Sequence, residues 1–279
     1  MKTFIGAHVS IAGGIENAPL RAKELGCDIF QMFVSAPQSY KKLDIKDEQI
    51  TAFRASCKEN NIQEVYQHAI YLINLASPNN GLFYASIDSL VHYLTMGDKL
   101  GAVGTIVHLG SFKDGAKEYV QLISGIKKIL LKTPASQFLI VENCAAGKIG
   151  RNLDELIHIY KEVGDSRLKF CLDTQHLFAS GIDVSDSQIF EDWLAQFDKE
   201  IGIEKIVCIH ANDSKTELGS NHDKHENVGE GKIGEEGFRS ILAQPLLQGI
   251  PLIIETPGHP PTTNGPDEIT MKKLRSLLP

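Results

Sequence analysis

Thiol chemistry is nearly missing from this chain. Five cysteines, Cys27, Cys57, Cys144, Cys171 and Cys208, are scattered over 279 residues with no Cys-x-x-Cys spacing. An odd, dispersed set excludes a disulfide framework and a thiolate zinc knuckle, and fits a reducing cytoplasm. Positive surplus is also lacking: 28 Lys and Arg stand against 35 Asp and Glu, a net charge of -7. The overall basic footprint of a nucleic-acid binder is therefore absent. That argues only weakly against a polyanionic substrate, because three bound divalent cations would by themselves raise -7 to -1. No apolar run is long enough to span a bilayer, and the start MKTFIGAHVS has no apolar signal core. These absences predict a cytoplasmic chain with no membrane contact. With no Pro-, Gly- or Ser-rich linker and no low-complexity tract, residues 1–279 are expected to form a single domain.

What the chain does contain is alternation. Short apolar or β-branched runs at residues 4–10, 27–34, 65–69, 105–110, 138–144, 168–176, 206–213 and 251–258 have the character of buried parallel strands. Between and after them, residues 18–26, 48–60, 86–100, 118–131, 153–163, 187–201, 236–246 and 267–278 carry helical spacing. Eight strands alternating with helices predict a closed α/β barrel, (β/α)8, of about 250 residues. Two loops are long, one after Val34 and one spanning 212–234, and long loops in compact domains tend to be functional.

Six of the strands end in a metal-ligand residue type: His68, His108, Glu142, Asp173, His210 and Glu255, separated by 40, 34, 31, 37 and 45 residues. Each step is close to one strand-helix unit, so the six should converge at the C-terminal face of the barrel, where such folds keep their chemistry. Burying that many carboxylates and imidazoles without a cation would carry a large desolvation cost. His176 follows Asp173 by three residues, and Asp223 and His225 lie two apart in the long seventh loop, on one side of an extended backbone. Five histidines and four carboxylates are too many for one tetrahedral zinc and about right for three if one carboxylate bridges. Zn2+ suits this donor set, and Mn2+ or Fe2+ could replace it.

Cys144, Cys171 and Cys208 each lie two residues from a ligand candidate and are expected in the core. His92 and His158 read as helix-face residues, His222 and His259 as solvated loop residues, and His8, at the end of the first strand, as a support for a ligand.

These residues resemble a known family, endonuclease IV, the metal-dependent apurinic/apyrimidinic endonucleases of base-excision repair. The resemblance covers nearly the whole chain: GAHVS at 6–10, HLGS at 108–111, VEN at 141–143, CLDTQH at 171–176, NDSK through GSNHDKHENVGEGKIG in the 212–234 segment, and IETP at 254–257. It implies a xylose-isomerase-like TIM barrel with a trinuclear zinc cluster at its C-terminal face. The implied first site is His68, His108 and Glu142; Glu142 bridges to a second completed by Asp173, His210 and Glu255; His176, Asp223 and His225 form the third. Glu142, Asp173 and Glu255 are the carboxylates carried over as catalytic. The implied reaction is hydrolysis of the phosphodiester 5′ to an abasic site in duplex DNA, leaving a 3′-hydroxyl, with removal of 3′-blocking groups as a related activity.

No obligate protein partner is evident in the sequence. The resemblance also matches Tyr71 and Leu72 to side chains that enter the base stack. The chain departs from the family in the second loop, where Gln38 stands in place of an inserted arginine, and at Lys224, where arginine is usual, and Gln175, where a small or thiol residue is common. Gln38 and Lys224 are the remaining expected DNA contacts. The rival reading, a metal-dependent sugar isomerase or epimerase on the same barrel, would leave His176, Asp223 and His225 without purpose.

Overall fold

The structure, a computed structural model, describes residues 2–112, 119–145, 147–261 and 265–279. The eight apolar runs form the strands β1 (Ile5–His8), β2 (Ile29–Met32), β3 (Val65–His68), β4 (Gly104–Val107), β5 (Phe138–Glu142), β6 (Leu168–Asp173), β7 (Ile206–His210) and β10 (Leu252–Ile254). All pair in parallel, in chain order, and β1 pairs with β10 through Ile5↔Leu252 and Ala7↔Ile254 to close the barrel. Two short strands in the long loop, β8 (Asp213–Ser214) and β9 (His225–Glu226), pair antiparallel. The barrel predicted from the alternation is the fold observed.

Helices α1 (Ala18–Glu24), α2 (Asp47–Glu59), α3 (Asn80–Leu100), α4 (Tyr119–Leu131), α5 (Leu153–Val163), α7 (Ser187–Glu200), α8 (Gly234–Ala243) and α9 (Glu268–Ser276) correspond to the expected segments. Residue 118, the expected start of the fourth helix, lies outside the described residues. Helix α3 begins six residues before the expected 86, because the Asn79 side chain accepts the Leu82 N–H and caps it. The sixth strand is shorter than expected. Asp173 ends it and caps α6 (Thr174–Ser180) by accepting the His176 N–H at 2.9 Å, so His176 belongs to a helix and not to an extended strand. No helix among the described residues is long and apolar enough to cross a membrane.

The period of two sorts each strand into an inner and an outer face. One buried layer inside the barrel contains Ile29, Tyr66, Ile106, Ile140, Cys171, Cys208 and Ile253, one from each strand except β1. Their neighbours Phe30, Val65, Val107, Val141 and Phe170 point outward into the larger core shared with the helices. The thiols of Cys171 and Cys208 thus pack in the barrel interior, as expected. The position missing from the inner layer is Gly6 on β1: an added Cβ would lie 2.1 Å from the Ile29 carbonyl oxygen. Backbone rather than a flexible side chain would have to yield there. Gly6→Ala is expected to destabilise the barrel by about 1–3 kcal/mol, measured as a lowered urea midpoint, and an unchanged midpoint would show that β1 is not held this closely against β2.

Candidate metal centre

Two residues beyond each inner-layer position, on the same face, stands a polar or ionisable residue: His8, Gln31, His68, His108, Glu142, Asp173, His210 and Glu255 in barrel order. The strand period therefore builds a polar ring directly above an apolar floor. Glu142 is its hub, with no exposed surface. Its Oε2 lies 3.1 Å from His68 Nε2 and 3.4 Å from His108 Nε2, and its Oε1 lies 3.1 Å from His210 Nδ1 and 3.2 Å from His176 Nδ1.

All nine residues singled out in the sequence come together here. His68, His108 and Glu142 present ligand atoms to one another, as do Glu142, Asp173, His210 and Glu255. The third grouping differs from expectation, because Asp173 joins His176 and His225. Asp223 stays alongside, with Oδ1 3.2 Å from His176 Nε2 and 3.6 Å from His225 Nε2. Asp173 therefore faces two groups, since the cap it forms on α6 brings His176 back over its own carboxylate. His225 is delivered by the β8–β9 pair.

One ring nitrogen of each histidine has a partner besides the carboxylates of the group. His68 Nδ1 bonds the Ala69 carbonyl at 2.7 Å, His176 Nδ1 the Asn143 carbonyl at 3.0 Å, and His225 Nδ1 the Glu255 carbonyl at 3.2 Å. His108 Nδ1 meets Cys144 Sγ at 2.9 Å, and His210 Nε2 meets Gln31 Oε1 at 2.8 Å. Such partners fix the ring orientation of a metal-binding histidine. Facing inward, the Nε2 atoms of His176 and His225 are buried without a hydrogen-bond partner among the described residues. Orphaned imidazole nitrogens beside carboxylates, with no thiolate in any group, fit a divalent cation of the zinc type.

Electrostatics agree. Burial alone would push the Glu142 carboxyl up, but the imidazoles of His108 and His210 hold it well below the usual carboxylate range. Burial would likewise depress His210, yet Glu255 and Glu142 raise it to about 10. His176 is raised well above its ordinary value against the same burial, by Asp173 and Asp223. His108, where burial dominates, falls to about 3. Where no metal is bound, the same carboxylates favour a proton on His210 and on His176.

The residues that sequence reasoning passed over are the amides and one carboxylate that hold the ring. Asn143 Oδ1 accepts the Asp173 N–H at 2.6 Å; Asn212 donates to Asp173 Oδ2 at 2.7 Å and accepts the Glu255 N–H at 2.8 Å. Fully buried Asp213 gathers the N–H groups of Gly229, Gly231, Ile233 and Gly234. A Cβ at Gly231 would lie 2.5 Å from its Oδ1, so the GEGKIG stretch wraps this carboxylate. Their sequence signal was adjacency, one to three residues after Glu142 or His210. Lys148 was also passed over; its Nζ is 3.4 Å from Asp223 Oδ2. His259 departs from the solvated reading, because its ring is held between Glu230 at 2.9 Å and Asp267 at 2.7 Å.

Around the ring lies a cavity of ≈ 770 Å³ lined by His8, Phe33, Pro37, Tyr71, Asp223 and Pro257 among others. At its lip Tyr71 and Leu72 are 61% and 42% exposed, unusual for large apolar side chains. Pro37 O accepts the Tyr71 N–H at 2.9 Å, and the Tyr40 hydroxyl donates to Leu72 O at 2.5 Å, so the second and third loops are tied together. Gln38 is exposed in the turn beside this tie, and Lys224 is exposed next to Asp223. Gln175 is buried, and its amide donates to His222 O at 2.9 Å.

Fold and site define the class as a xylose isomerase-like TIM barrel with a metal-binding C-terminal face, and that family is matched over residues 19–278. A D-tagatose 3-epimerase-like protein shares the fold, with a TM-score of 0.72 at 18% identity over 99% of this chain and 96% of that one. Nearer likenesses are more specific. A probable endonuclease 4 of Halothermothrix orenii is 37% identical over 258 residues, covering 91% of this chain and 93% of that one. The crystal structure of endonuclease IV from Thermus thermophilus superposes with a TM-score of 0.86 at 31% identity, covering 98% of both chains. The chain belongs to the endonuclease IV family.

The carboxylates that raise His210 to about 10 and push His176 upward favour protonated imidazoles where no metal is bound, and a metal has to displace those protons. Zinc uptake at pH 7 is expected to release at least about one proton per chain, with affinity rising as pH rises. Calorimetry in buffers of different ionisation heat reads this directly, and uptake without proton release would mean that both imidazoles are already neutral.

Proposed function

We propose that this protein is a DNA-repair endonuclease that hydrolyses the phosphodiester 5′ to an abasic site in duplex DNA, leaving a 3′-hydroxyl, with a trinuclear zinc cluster. The observation that carries the reading is the nine-residue constellation around buried Glu142, opening into a cavity whose lip exposes Tyr71 and Leu72. His68, His108 and Glu142 would hold one metal; Glu142, Asp173, His210 and Glu255 a second; His176, Asp223 and His225, with Asp173 close by, a third. When bound, such metals supply a hydrolytic nucleophile at neutral pH and neutralise charge on the phosphate and the leaving oxygen.

The chain's own residues do the rest. The carbonyls of Ala69, Asn143 and Glu255 and the Gln31 amide hold the imidazoles in fixed orientations, so little reorganisation is needed when substrate arrives. Tyr71 and Leu72, braced by the tie to Pro37 and Tyr40, would fill the gap in the base stack left by a missing base. Lys224 supplies a positive charge to the lip of a chain that is acidic overall. A sugar isomerase reading leaves the third grouping and the exposed Tyr71–Leu72 pair without a use.

An abasic-site duplex tests the proposal. The protein is expected to nick it once, 5′ to the lesion, to leave an end that a polymerase extends, and to lose this activity on prolonged chelation. Elemental analysis should find near three metals per chain; Glu142→Gln should lose more than one of them, and His225→Ala chiefly one. Full incision at less than one metal per chain would overturn the cluster.

At Gln38 a guanidinium could pair with phosphate and fill a stack, which a neutral amide does less well. Gln38→Arg is expected to tighten abasic-duplex binding by about 1–2 kcal/mol and to steepen its salt dependence by about one unit. Salt-titrated binding checks this, and unchanged affinity and slope would mean that position 38 does not reach DNA.

A further inference from the structure

Two members of the polar ring, His8 and Gln31, belong to none of the three ligand groups, although the period of two places them level with the rest. Gln31 is fully buried, and each of its polar atoms meets a ring residue. Its Nε2 lies 2.6 Å from Glu255 Oε1 and 2.9 Å from His8 Nδ1; its Oε1 lies 2.8 Å from His210 Nε2. The orientation of this amide is forced. Flipped, it would set a carbonyl oxygen 2.6 Å from a carboxylate oxygen with no proton between them.

The protons then follow in order. Gln31 Oε1 accepts only, so His210 carries a hydrogen on Nε2. Gln31 Nε2 donates only, with one hydrogen to Glu255 and the other to His8. His8 must therefore offer a bare Nδ1, since a hydrogen there would face the amide hydrogen across 2.9 Å. Glu255 Oε1 lies farther from that nitrogen, at 3.4 Å. With Nδ1 bare, the single hydrogen of the neutral ring sits on Nε2. His8 lines the cavity, its ring packs against Phe33 with centroids 4.5 Å apart, and its Nε2 has no partner among the described residues.

We infer that His8 is a substrate-contacting residue, a neutral imidazole locked by Gln31 with its Nε2–H turned to the cavity, where it donates a hydrogen bond to an oxygen of the phosphodiester. The inference rests on the nuclease reading above. A phosphodiester offers only acceptors, and a fixed neutral donor serves one without adding positive charge beside the metal groups. Gln31 is the positioning residue, acting on the substrate only through His8.

The test uses the zinc-loaded protein labelled with nitrogen-15 at histidine, with abasic duplex as substrate. Nitrogen shifts of His8 should show an unprotonated Nδ1 and a protonated Nε2. His8→Phe keeps the ring's bulk and loses the donor; kcat/KM should fall about tenfold or more, the worth of one hydrogen bond to a charged group, with metal content unchanged. His8→Gln, whose amide nitrogen reaches close to the Nε2 position, should recover most of that loss, which a packing role would not allow. A His8 protonated on Nδ1, or a Phe variant that cuts like the parent, overturns the inference while the parent's own incision upholds the nuclease reading. A parent that cuts no abasic duplex removes that reading and the substrate contact with it, and the nitrogen shifts then report only whether the lock exists.

Discussion

A carboxylate with no access to water, Glu142, has to be balanced by what surrounds it, and much of this molecule supplies that balance. Removing an ion from water costs several kcal/mol even after relaxation, and an unpaired buried charge costs more. Four imidazoles within 3.4 Å, delivered by β3, by the segment after β4, by α6 and by β7, offset the cost. They can do so only if the barrel is closed, because strands on opposite sides of the ring must reach one point. Closure in turn depends on the apolar layer beneath and on a glycine at the one place where β1 and β2 leave no room for a side chain.

The same balance explains why amides cluster at this end of the barrel. Each strand end leaves backbone groups that must be satisfied, and each ligand needs its orientation fixed. Asn143 and Asn212 do both, accepting the backbone N–H groups of Asp173 and Glu255 on neighbouring strands while Asn212 also grips the Asp173 carboxylate; Gln31 does the second, gripping Glu255 and His210 across the barrel. Asp213 performs the equivalent task for the long loop, gathering four backbone N–H groups so that Asp223 and His225 are held against the ring. A flexible loop could not keep two ligands in place against the conformational entropy of the chain between them.

Above this rigid ring the cavity lip is made of loops whose exposed apolar side chains are held by only a few hydrogen bonds. The division suits a site that must keep charged groups fixed while meeting a large substrate of variable shape. Of the three positions at which the resemblance is incomplete, Gln38 and Lys224 are exposed and Gln175 is buried, and none of them is among the nine ligand candidates.

The barrel and the members of its polar ring were legible in the residues alone, because both depend on local periods. Apolar runs recurring at one strand-helix unit predict parallel strands, and a period of two puts His68, His108, Glu142, Asp173, His210 and Glu255 on the inner face whatever the details of packing. Tertiary structure alone decided the rest. Strand tilt and register made Glu142 the hub and brought Asp173 near both His210 and His176. They also put the Gln31 amide between His8, His210 and Glu255. Those contacts join residues up to 224 positions apart, and a hydrogen bond of that reach leaves no trace in the local pattern of either partner.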